Sequence, residues 1–131
     1  GETVMKETIL LVFVVALANA SQLFAEEVLV CFPDRRVMVS ANKVVEQKLT
    51  AEESKKNAII LTKIRGKLLW KSRGNKEVKY VKSGVFMVFA ESNGAGYVKV
   101  GNGVAMEHVH IGMVTYTYFG KVNLIKPSSL D

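Results

Sequence analysis

The sequence predicts a mainly β fold, a small antiparallel meander sheet or barrel with one or two short helices near residues 42–57, preceded by a hydrophobic leader. Apolar runs of strand length recur after residue 26, and Gly, Asn, Pro and Asp separate them at regular intervals. No long stretch with a helical apolar period intervenes. Strands joined by tight turns, without crossover helices, pack as an antiparallel sheet that curls on itself or is half covered by the one helical segment.

A chain of 131 residues holds one domain. Its 18 basic residues exceed its 12 acidic ones, a net charge of +6. Residues 1–20 contain only Lys6, Glu2 and Glu7 of these, so the excess resides in the folded part. Such a surface attracts nucleic acid, anionic lipid, acidic polysaccharide or an acidic protein. Cys31 is the only cysteine, which excludes an intrachain disulfide and a metal site of several thiolates. Set inside the apolar run Val28 to Phe32, it reads as a small buried hydrophobe.

Met5-Lys6, the apolar run Ile9 to Ala18 and the small residues of Ala18-Asn19-Ala20 have the order of a secretory signal, with cleavage expected after Ala20 or Ala25. The run is shorter than the roughly 20 residues of a comfortable membrane-spanning helix, and extending it through Phe24 would make an uncleaved anchor. The expected organisation is a leader over 1–25, a β-rich domain over 26–125 and a flexible tail over 126–131 in a periplasmic or secreted protein. In the alternative, Thr8 to Val15 is a core strand of a cytoplasmic, nucleic-acid-binding barrel.

In chain order, Val28 to Phe32 and Arg36 to Val39 read as a hairpin turned by Pro33-Asp34-Arg35. Asn42 to Lys56 favours helix, with Asn42 as a cap and Thr50-Ala51-Glu52-Glu53 as a capping box. Ala58 to Thr62 is a strand, and Gly74-Asn75 connects Lys67 to Ser72 with Lys76 to Lys82, where Val78 and Tyr80 share one face and Val81 falls out of phase. Val85 to Ala90 is consecutively apolar and reads as a central strand covered on both faces. Asn93 to Gly96 and Gly101-Asn102-Gly103 are turns around Tyr97 to Val100, and Val104 to Val122 is one bent strand or two broken at Gly112.

Two groups carry candidate chemistry. In Met106-Glu107-His108-Val109-His110 alternate residues share a strand face about 7 Å apart, so Met106, His108 and His110 suit Cu(I) if Met113, Met87 or Cys31 supplies a further ligand. The wide spacing argues instead for ordinary surface histidines. The second group is the basic hairpin of Lys67, Lys71, Arg73, Lys76, Lys79 and Lys82, with Trp70 and Tyr80 interleaved. Aromatics among cations can stack rings while the cations meet anions, or they can simply anchor a solvated hairpin to the core. No nucleophile elbow, phosphate loop or acid pair is present, so the sequence points away from an enzyme. The expected role is binding or structural, in the cell envelope, with an envelope protein, anionic lipid or polysaccharide as partner and no cofactor other than the copper of the alternative reading.

Overall fold

A computed structural model describes residues 26–130; the leader with its two cleavage positions, the alternative strand Thr8 to Val15, and Asp131 lie outside them. The elements are β1 Glu26–Cys31, β2 Arg35–Val39, β3 Val44–Lys48, α1 Ala51–Lys56, β4 Ile59–Ile64, β5 Lys67–Trp70, β6 Lys76–Ser83, β7 Phe86–Glu91, β8 Tyr97–Gly101, β9 Val104–Ile111 and β10 Val114–Ile125. Single 3-10 turns occupy Lys71–Arg73 and Pro127–Leu130. The mainly β expectation holds. β4 to β10 form a continuous antiparallel meander, and β1 inserts between β4 and β10 to close an eight-stranded barrel.

Alternation along the strands fills the interior. Val78 and Tyr80 point inward from β6 as their spacing predicts, while Val81 faces solvent. Phe89, Val98, Val100, Ala105 and Val109 continue the inner face around the sheet, and Leu29, Cys31, Ile59 and Leu61 complete it. The break at Gly112 separates β9 from β10. Asn102 and Gly103 both have positive φ, 52° and 75°, the geometry that a two-residue hairpin turn requires.

Pro33-Asp34-Arg35 does not turn a hairpin. β1 and β2 lie end to end along one edge of β10, Leu29 to Cys31 against Ile125 to Val122 and Arg35 to Val39 against Phe119 to Thr115. Proline removes one donor from the ladder, but the Asp34 amide donates to the Phe119 carbonyl at 2.8 Å and keeps the chain on the same strand. The step passes over Gly120, where a Cβ would stand 2.8 Å from the Phe32 carbonyl oxygen.

Three further expectations change. Val44 to Lys48 is a strand paired with β2, and Asn42 caps nothing: two β-branched valines across from Val39 and Met38 outweigh the helix preference of the residues that follow. Within 42–57 helix is confined to α1, whose Thr50–Glu53 capping box forms as predicted. β7 is not covered on both faces: Val85 lies outside the strand and is exposed, while Phe86, Val88 and Ala90 are half-buried on the outer surface. The segment read as a flexible tail instead packs Leu130 against the core, and the Lys63 ammonium donates to the Ser129 carbonyl at 2.8 Å.

Candidate functional site

The basic hairpin does not make the mixed surface that its sequence suggests. Trp70, at 0% exposure, and Tyr80 turn into the barrel, because the inward face of β5 and β6 carries Trp70, Val78 and Tyr80 together. Tyr80 packs on Phe89 with ring centroids 5.3 Å apart. Lys67, Lys71, Lys79 and Lys82 remain outside; Lys79 pairs with Glu77 and Lys76 with Glu91, each at 3.4 Å.

Arg73 also turns inward, toward Glu107, whose side chain is fully buried. The Glu107 carboxylate accepts from the Trp70 indole at 2.7 Å and from Nε and Nη2 of Arg73 at 3.1 and 2.6 Å. The guanidinium lies over the Tyr118 ring at 5.3 Å. Burial pushes the Glu107 carboxyl above its ordinary range, against the pull of Arg73 and Trp70. Burial also works against the charge of Arg73, and Glu107 together with Tyr118 more than offsets it, so its pKa is raised. The cluster ties the end of β5 to β9 and β10 below a cavity of about 320 Å³ lined by Arg73, Lys76, Glu91 and His110.

Met106, His108 and His110 do share one outer face of β9. The two imidazoles meet edge to face at 5.0 Å, and their Nδ1 atoms lie 3.0 and 3.2 Å from the hydroxyls of Thr117 and Thr115. Tyr97 stacks on His108, and burial together with His110 holds the His108 pKa below the usual imidazole value. Of the further ligands, Cys31 is in the core and Met87 packs against it, while Met113 is exposed in the turn that follows β9. Among the described residues no group of three or more His, Cys, Asp and Glu side chains is placed to hold a metal ion.

Burial, then the charges of Asp34 and Glu107, push the Cys31 thiol up to about 12. At pH 8 such a group is thiolate in about one molecule per ten thousand. The folded protein is therefore expected to consume no thiol reagent at pH 8 over minutes and to consume one equivalent after denaturation. Rapid labelling without denaturant would show that β1 leaves the barrel readily.

A basic and aromatic surface lies instead across the outer face of β7, β8, β9, β10 and β2. Strand register builds it: Lys99 stands opposite Met106, Met106 opposite Phe119, and Phe119 opposite Arg35. The Arg35 guanidinium covers the Phe119 ring at 4.8 Å and the Lys99 ammonium covers the Phe86 ring at 4.3 Å. The Phe86 ring lies across Gly101, where a Cβ would come within 2.3 Å of it. Two depressions of about 480 and 260 Å³ adjoin here, sharing Val104 and Phe119. Lys48, Lys121, Arg35 and Lys99 rim this groove; Asp34 is the acid among its lining residues, and Glu46 lies 3.4 Å from Arg35. Sequence reading missed it because each strand contributes only one or two of these residues. An aromatic next but one to a lysine, as in Phe119 and Lys121, is the local trace it leaves.

Compared with family models, with curated proteins and with solved structures, the chain matches none.

Proposed function

We propose that the protein is a non-enzymatic binding module of the cell envelope that presents this outer groove to an anionic ligand. The observation that carries the reading is the continuous apolar floor of Phe86, Val104 and Phe119 under a rim of Lys48, Lys99, Lys121 and Arg35. The excess of basic residues supports it, and the order of Lys6, Ile9 to Ala18 and Ala20 supports export. Rings shielded by cations suit a ligand that offers the cations an anion and the rings an apolar body.

The test uses protein recovered from the envelope fraction, with an intact mass expected to begin at Ser21 or Glu26. On a sulfated polysaccharide, Lys48→Glu with Lys121→Glu is expected to weaken retention on the order of tenfold at low salt, the loss shrinking as salt rises. The same two reversals at Lys55 and Lys56 of α1 should matter much less. Equal losses from the two pairs would dismiss the groove as the site, and recovery of uncut protein in the cytoplasm would dismiss the envelope role.

A further inference from the structure

We infer that the barrel docks on an anionic bilayer by the end that carries the β4–β5, β6–β7 and β8–β9 turns; this rests on the anion-binding role proposed above and names the partner. In an antiparallel meander alternate turns share an end, so Arg65-Gly66, Gly84-Val85 and Asn102-Gly103 crown the same rim. The segments 59–76, 79–90 and 97–106 that form these hairpins contain no acidic residue. Arg65, Lys67, Lys82 and Lys99 flank the turns. Val85 stands at an apex with 76% of its surface exposed, Val81 and Val104 are exposed beside it, and the ring of Phe86 adjoins. Among the described residues the acids near this end are Glu26, which meets Ser129 at 2.8 Å and Lys126 at 4.0 Å, its neighbour Glu27, and Asp34, which shares the groove lining with Val104.

Charge and exposure together select the partner. A polyanion in water would engage the lysines and leave the valines exposed, whereas the headgroup region of a bilayer takes up cations and apolar tips at once. A second copy of the chain would bring like charge to like charge. The groove rim reaches the same end through Lys99, Phe86 and Val104.

Tryptophan probes at opposite ends test this in the protein as the cell processes it, with vesicles of phosphatidylcholine alone and with phosphatidylglycerol added. Val85→Trp and Met113→Trp both replace exposed residues outside the strands, and native Trp70 is a buried constant background. Val85→Trp emission is expected to shift to the blue and to be quenched by brominated lipid on the anionic vesicles, and Met113→Trp emission to stay that of an exposed indole. Val85→Asp should weaken anionic vesicle binding roughly tenfold, the worth of one inserted apolar side chain, without changing retention on sulfated polysaccharide. Equal shifts at the two probes, an unmoved Val85→Trp, or Val85→Asp binding as well as the parent would overturn the inference. If polysaccharide retention then persists, the anion-binding reading stands without the bilayer; if both bindings are absent, both fall.

Discussion

Glu107→Ala is expected to destabilise the fold by about 3–5 kcal/mol, seen as a lower urea midpoint at unchanged slope. The side chain it removes is fully buried and satisfies the Trp70 indole and two nitrogens of Arg73. Without it the Arg73 side chain, 24% exposed, loses its counter-charge and the buried Trp70 indole loses its acceptor. The loss comes from stranding one partner, not from any large net worth of the pair. Replacing both, Glu107→Leu with Arg73→Met, should therefore cost less than Glu107→Leu alone. A double variant as unstable as the single one would show that shape, not charge, decides the site. The pH dependence has a matching sign. Burial raises the folded carboxyl above its unfolded value, so this group's contribution is fully present below the ordinary carboxyl range and is lost as pH rises through the raised value. Glu107→Gln should remove that downward slope.

Gly120→Ala comes second, at about 3 kcal/mol. Its Cβ would stand 2.8 Å from both the Phe32 carbonyl oxygen and the Pro33 Cα, and 3.0 Å from the Cys31 sulfur. Two of these neighbours are backbone, so relief requires β1 or the step into β2 to move off β10. The damage should be visible as faster labelling of Cys31 as well as a lower midpoint. Gly101→Ala is the informative contrast: its nearest neighbour, at 2.3 Å, is the Phe86 ring on the open face, which can swing aside. A Gly120→Ala protein as stable as its parent, with Cys31 still protected, would mean that the crossing is looser than its distances imply.

What the sequence made legible was local. Alternation put Val78 and Tyr80 on one face, Gly112 broke the last apolar stretch, and Thr50 with Glu53 started the helix, because each depends on neighbours a few residues away. The step at Pro33 is not legible locally, because proline reports only its own dihedral and missing donor; whether the chain then reverses depends on the Phe119 carbonyl, far along the sequence. Val44-Val45 read as part of a helical segment because a short edge strand with one solvated face has the same polar content as a surface helix. For the sites, alternation placed His108 and His110 together correctly, yet could not say that Trp70 and Arg73 would turn inward to meet Glu107. The outer groove needed the register of β7 through β10 and β2, which no window of sequence contains.

The seam between β1 and β10 also sets an order of events in time. Pairing Leu29 with Ile125 joins residues from the two extremes of the domain, whereas each step from β4 to β10 is a hairpin that can form as soon as its second strand exists. The slot for β1 is thus empty until the last strand has been synthesised. During that interval the first strand has no final partner on its β10 side, and the chain stays open and threadable. Closure of the barrel is therefore the last step of its folding, and it waits on the slowest contact, the one between the two ends of the domain.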